Sequence, residues 1–189
     1  MRLVNPSHIR IIAKRRKLDF EVDKLTNSIE NALSGERFET EIVKINDEQS
    51  LLSKSKGWAF DWIYELNYGD REVLALVIKE NPSEYQGLVN FTDKGDHIFM
   101  ELLESAPVNK GHGKRYMGVP ANLVAFLCKK SFEKGYRGSV AFVSKSNLIE
   151  HYEKMLGAKR FAANRMFIDS KQAYEHVHRY FPEYFNDRL

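Results

Sequence analysis

Apolar residues follow two rhythms along this chain, steps of three and four in some stretches and alternation or continuous runs in others. In residues 21–33, Val22, Leu25, Ile29, Ala32 and Leu33 fall on one face of a helix, and Gly35 supplies a stop. Residues 38–45 are rich in β-branched and aromatic side chains with partial alternation, which predicts a first strand. Within residues 47–68, Trp58, Trp62 and Leu66 lie at helical spacing in an aromatic cluster with Phe60, Tyr64 and Tyr68. Such a cluster is first of all core packing against a sheet.

Three strands are predicted next, at residues 72–79, 86–92 and 97–105. The turn signals Asn81-Pro82-Ser83 and Asp93-Lys94-Gly95-Asp96 separate them, and short turns between consecutive strands imply antiparallel pairing. A helix over 121–134 is closed by Gly135, and residues 139–144 carry a V-A-F-V run suited to an interior strand. A helix at 147–156, a strand at 160–169 and a helix at 170–180, capped by Ser170 or Asp169, complete the pattern. This order predicts an α+β fold with one mixed, mostly antiparallel central sheet flanked by helices.

Length and charge narrow the function. The 189 residues suit one domain, expected at 21–189 behind a basic N-terminal arm at 1–20. The net charge of +3 is too small to mark a nucleic-acid binder. Residues 1–20, however, hold Arg2, Arg10, Lys14, Arg15, Arg16 and Lys17 against Asp19, a net +5 that leaves the rest near −2. The arm reads as a solvated basic face, with phosphate neutralisation as the alternative. No apolar run is long enough to cross a bilayer, and no signal-peptide h-region precedes the basic residues. Cys128 is the single cysteine and reads as a buried thiol, so the cytoplasm is the expected location.

Candidate chemistry concentrates in residues 101–161. Arg115-Tyr116-Met117-Gly118-Val119-Pro120 forms a glycine turn that opens a helix, and helix N-termini with unused amides bind anions. A strand then leads to a second helix carrying H-Y-E-K-M-L-G-A, with Tyr152 on it. Glu101 and Glu104 lie on the strand before the turn; on a regular strand they would point to opposite faces. His176 and His178, two apart on a helix, cannot share one face, and no metal-ligand, nucleophile-elbow or phosphate-loop motif is present. No metal is expected.

In order and motif, residues 72–168 resemble the cofactor-binding half of the GNAT superfamily of acyl-CoA N-acyltransferases. The turn R-Y-M-G-V-P is similar to that family's Q/R-x-x-G-x-G/A, with Pro120 at the last position, where it removes one amide. H-Y-E-K-M-L-G-A resembles its L-Y-E-K-x-G-F segment. The resemblance implies a GNAT fold and an acetyl-CoA-dependent N-acetyltransferase acting on a primary amine by direct attack on the thioester. It implies that backbone groups of Met117, Gly118, Val119, Ala121 and Asn122, with Arg115, hold the pyrophosphate, and that the strand end at Leu103 and Ser105 pairs with pantetheine. Tyr152 becomes the general acid that protonates the departing thiolate, and Glu104 the general base, with Glu101 second. Lys145 stands where the family often has asparagine, seven residues before the tyrosine, and Asn147 nearby is the substitute. The basic loop at 107–114 is expected to be flexible and to add charge at the phosphates. All of this requires helix-start amides that face outward and a Tyr152 hydroxyl that faces the cleft.

Two other readings follow from the same residues. One is an inactive GNAT-like binding module, for which Pro120 and Lys145 are traces of decay. The other is an acyltransferase acting on an RNA-borne amine such as aminoacyl-tRNA, docked through the arm. The acceptor and the oligomeric state are not legible in the sequence.

Overall fold

The computed structural model describes residues 20, 22, 23, 25, 28–54 and 57–186. In chain order the elements are β1 (Ile29–Asn31), β2 (Arg37–Phe38), β3 (Thr40–Lys44), α1 (Glu48–Lys54), α2 (Trp62–Leu66), β4 (Glu72–Ile78), β5 (Asn81–Asp93) and β6 (Ile98–Ser105). They continue with β7 (Tyr116–Met117), α3 (Val119–Glu133), β8 (Val140–Val143), α4 (Ile149–Leu156), β9 (Lys159–Ala162), β10 (Arg165–Ile168), α5 (Ser170–Tyr180) and α6 (Glu183–Asn186). Seven strands form one sheet in the order β3-β4-β5-β6-β8-β10-β9. Every neighbouring pair in it is antiparallel except β6 with β8. A small second sheet runs β2-β1-β7.

β4 shows why the sheet is sandwiched. Its sequence E-V-L-A-L-V-I is apolar at six successive positions because both faces are covered. Val73, Ala75 and Val77 pack with Leu51 and Trp62 beneath α1 and α2. Leu74, Leu76 and Ile78 join the larger core with residues of α3, α4 and α5. Helix α3 is buried nearly all round, since it lies on the sheet and is itself overlaid by α5. Its Cys128 is fully buried, and that burial pushes the thiol well above its ordinary pKa.

Gly87 on β5 sets how closely α3 sits. A Cβ there would come within 2.6 Å of Val119 Cγ1 and 3.0 Å of Leu123 Cδ1, so the first turn of α3 rests against bare backbone. At the other end, His176 of α5 places Nε2 2.8 Å from the Leu156 carbonyl, tying α5 to the end of α4. A carbonyl only accepts, so Nε2 carries the proton.

The strands predicted at 72–79, 86–92 and 97–105 form, as do the helices at 121–134, 147–156 and 170–180, within a few residues. Asp169 is the cap of α5, its Oδ1 accepting from Gln172 N at 3.0 Å. Five expectations change. The predicted helix at 21–33 falls partly outside the described residues, and its later half is β1, paired with both Phe38 and Met117. Long-range pairing overrides the local rhythm there: Ile29 is fully buried in the core, whereas Leu33, assigned to the same helix face, is 99% exposed. Gly35 still turns the chain, but as the left-handed residue (φ +70°) of a hairpin. The predicted strand at 38–45 is divided between two sheets, and Trp58 lies outside α2, its ring edge-on to Trp62 at 6.3 Å. Residues 160–169 are a hairpin, β9 and β10, and Asn81-Pro82-Ser83 belongs to β5. The basic arm, apart from Phe20, lies outside the described residues. No helix among the described residues is long and apolar enough to cross a membrane.

Two tests follow. Gly87→Ala is expected to lower the unfolding free energy by about 1–3 kcal/mol through overpacking against Val119 and Leu123; an unchanged urea midpoint would mean that α3 does not rest on this backbone. Burial holds the His176 ring below its ordinary pKa of 6.5. The unfolded chain therefore takes up this proton at higher pH than the native protein does, so the contribution is intact above pH 6.5 and is lost as the pH falls towards the native pKa. The stability gap between wild type and His176→Gln should therefore narrow on acidification from pH 7 to pH 5, and a constant gap would contradict this.

Candidate active site

The site begins where two strands part. β6 and β8 pair at Ile98–Val140 and Phe99–Ala141, and the parallel ladder goes no further. Next to that point β6 carries a bulge: Met100 faces Phe91 and Leu102 faces Asn90, so Glu101 is the extra residue. Bulges bend a strand and sharpen its twist. This one also resets the alternation. Leu102 packs with Trp62, Leu103 with the α3 core, and Glu101 and Glu104 both lie on the α2 side rather than on opposite faces. Glu101 accepts from Thr92 Oγ1 at 3.0 Å and lies 3.9 Å from Arg71, which is paired with buried Glu65. It belongs to that polar cluster, away from the cleft.

Glu104 is 2% exposed and meets four donors: Ala59 N at 2.7 Å, Phe60 N at 3.3 Å, Trp62 Nε1 at 2.8 Å and Lys110 Nζ at 2.5 Å. A carboxylate offers about four lone-pair sites, so this one clamps the chain entering α2 against the end of β6. The Lys110 side chain is 42% exposed.

From β6 the chain makes a single 3-10 turn, Pro107–Asn109, and returns to the sheet. Buried Asn109 fixes this return. Its Nδ2 donates to Gln86 O and Oε1 at 3.0 and 3.1 Å, and its Oδ1 accepts from Tyr116 N at 3.1 Å. The basic loop, expected to be flexible, is tethered by its ends and its cations: Arg115 N donates to Val108 O, Lys110 reaches Glu104, Lys114 reaches Asp23 and Arg115 reaches Glu84. The charge of Arg115 is thus engaged by Glu84.

Gly118 caps α3 with φ +84°, a left-handed geometry that glycine adopts without strain. Pro120 sits in the first turn and keeps the helix intact. Met117 is paired with Glu30 of β1, and the Asn122 amide donates within the helix to Gly118 O at 3.0 Å. The Asn122 side chain turns to Thr40 Oγ1, 3.2 Å away. Val119 and Ala121 have no intrahelical carbonyl to bond. The Gly118 amide donates to Asp23 Oδ1 at 3.0 Å, and Lys114 Nζ lies 3.0 Å from Asp23 Oδ2. A carboxylate of the chain itself therefore occupies the helix start, so the requirement for an outward-facing, unoccupied turn is not met at Gly118 while Asp23 is seated there.

Tyr152 on α4 is fully buried. Its hydroxyl donates to Phe20 O at 2.7 Å and accepts from Phe20 N at 3.2 Å, and its ring lies 5.0 Å from that of Phe20. Val22 N donates to His151 Nε2 at 2.8 Å. Phe20, Val22 and Asp23 thus run from the tyrosine to the glycine turn. Beside them, a cavity of about 350 Å³ is lined by Phe20, Phe60, Leu103, Glu104, Ser105 and Lys110, among others. Asn147 is exposed on the 3-10 turn (Ser146–Leu148) that precedes α4.

Leu103, Glu104 and Ser105 line this cavity, whereas Gly118 and Tyr152 lie behind its lining residues Asp23 and Phe20, to which they are hydrogen-bonded. Sequence reasoning missed Phe20, Asp23, His151 and the Asn109 staple. The helical spacing of Val22, Leu25 and Ile29 drew attention to a local helix instead.

No protein-family model and no curated protein matches the sequence. Among solved structures, AtaTR bound with acetyl-CoA is similar at 12% identity, with a TM-score of 0.50, over 72% of this chain and 96% of that one. KacTA in a complex with DNA is similar at 15% identity and a TM-score of 0.50, over 72% and 97%. Mutant forms of the spermidine/spermine N-acetyltransferase SpeG from Vibrio cholerae align at 10% identity and a TM-score of 0.49, over 72% and 98%. Identities this low speak to architecture alone, and with the sheet order and its parted strands the conclusion is one of fold: this chain has the α+β fold of the GNAT N-acetyltransferases.

Proposed function

We propose that this protein is an acetyl-CoA-dependent N-acetyltransferase that acetylates a primary amine. The observation that carries the reading is Asp23: an anionic group already rests on the Gly118 amide and the Lys114 ammonium, so the turn has the chemistry to hold a diphosphate. With Asp23 displaced, Gly118 N, the amides of Val119 and Ala121, and Lys114 Nζ would hold the pyrophosphate. The edge of β6 at Leu103 and Ser105 would pair with the pantetheine amides. Acetyl-CoA supplies the acyl group, activated as a thioester.

The chain's own residues do the rest. The Tyr152 hydroxyl donates its proton to the leaving sulfur once Phe20, to whose carbonyl it now donates, has withdrawn. The amine acceptor enters the cavity beside Phe60 and Glu104. Glu104 has two roles: it positions residues 59–62, and it takes the amine's proton, directly or through water, once exposed Lys110 moves off.

One observation favours a second reading, a GNAT-like module without turnover: the turn and the tyrosine are engaged by Asp23 and Phe20. Calorimetry with acetyl-CoA decides between enzyme and module at the first step. Binding is expected, weakened by Lys114→Ala, and no heat at millimolar coenzyme would remove the enzyme reading. Tyr152→Phe is expected to lower kcat by about 100-fold with coenzyme affinity retained. Unchanged kcat would remove Tyr152 as the acid.

A further inference from the structure

Resting on the acetyl-CoA reading, we infer that Phe20, Val22 and Asp23 form an internal competitor of the coenzyme, and that the protein turns over only when these residues leave the cleft. The segment takes the place of the two ends of the coenzyme. At one end a carboxylate takes the place of phosphate oxygens on Gly118 N and Lys114 Nζ. At the other end the main-chain N–H and C=O of Phe20 engage the Tyr152 hydroxyl, where the coenzyme's sulfur would have to lie. Between them Val22 N is held by His151 Nε2. Phe20 and Val22 are buried, at 5% and 2% exposure, in the core that also contains Leu103, Val119 and Tyr152.

These contacts are mutually exclusive with the coenzyme's. The Gly118 amide has one hydrogen to donate, and a proton delivered by Tyr152 to sulfur cannot at the same time be held by Phe20 O. Asp23 is 12% exposed at its side chain, so its ion pair with Lys114 is shielded from bulk solvent and screened less than a surface pair. A ligand whose competent state is only a fraction of the population has its affinity reduced by that fraction. Coenzyme affinity is thereby set by how strongly the chain holds its own segment, and Asp23 is the residue that tunes it.

The test uses the full chain and acetyl-CoA as the probe. Calorimetry compares wild type with Asp23→Ala and Asp23→Asn, while amide hydrogen exchange follows Val22 in the wild type with and without saturating coenzyme. Asp23→Ala is expected to bind about tenfold more tightly, the change for a cleft that is open about one-tenth of the time, with Asp23→Asn in between. Val22 is expected to lose protection when coenzyme binds. Equal or weaker binding by both variants, or a Val22 amide that stays protected in the complex, would make the segment a fixed wall and overturn the inference while leaving the enzyme reading intact. Absence of binding by wild type and both variants would overturn the two together.

Discussion

Parallel strands β6 and β8 share two residue pairs and then separate, and whatever fills the gap must satisfy the polar groups that the separation exposes. Buried backbone amides and hydroxyls without partners are costly. In this protein three groups at the gap set the requirement: the Gly118 amide, the Lys114 ammonium and the Tyr152 hydroxyl. Asp23 and Phe20 meet all three, with one carboxylate and the main-chain N–H and C=O of a single residue, and Phe20 and Val22 cover the apolar surface between them. The same requirement suits a ligand with an anion at one end and an amide-bearing arm at the other. Fold and proposed activity therefore meet in one constraint.

The rest of the molecule keeps that gap in place. Gly87 lets α3 settle on β5, which sets where the α3 N-terminus lies relative to the end of β6. Asn109 fastens the turn after β6 to Gln86 on one side and Tyr116 on the other, so the basic loop leaves and returns at fixed points. Glu104 binds residues 59–62 to the end of β6 and gives the cavity a rigid wall. His176 holds the far end of the tyrosine helix. All but Glu104 lie away from the reacting groups, and each bears on their separation.

Legibility in the sequence followed the range of the interactions involved. β4, β8, α3 and α5 are specified by local patterns, namely continuous apolar runs or helical spacing with a cap and a glycine stop, and they stand close to where those patterns put them. The glycine turn and Tyr152 were visible through their likeness to GNAT motifs. The helix expected at 21–33 was not realised in its described half, because Ile29 and Glu30 are ordered by β2 and β7, elements that no local window contains. The bulge at Glu101 has no composition of its own; it appears only in the register with β5, and it moves Glu101 and Glu104 to one face. The partners of Glu104 and Asp23 are 42 to 95 residues away along the chain for most of their bonds, which is why Asp23 went unread and the anchoring contacts of Glu104 were not legible.

A structure of the full chain crystallised with acetyl-CoA tests the central claim most directly. The expected result is a diphosphate oxygen on the Gly118 amide and Lys114, the sulfur beside the Tyr152 hydroxyl, and Asp23 withdrawn from the turn. Coenzyme bound elsewhere with Asp23 still seated on Gly118 would contradict it.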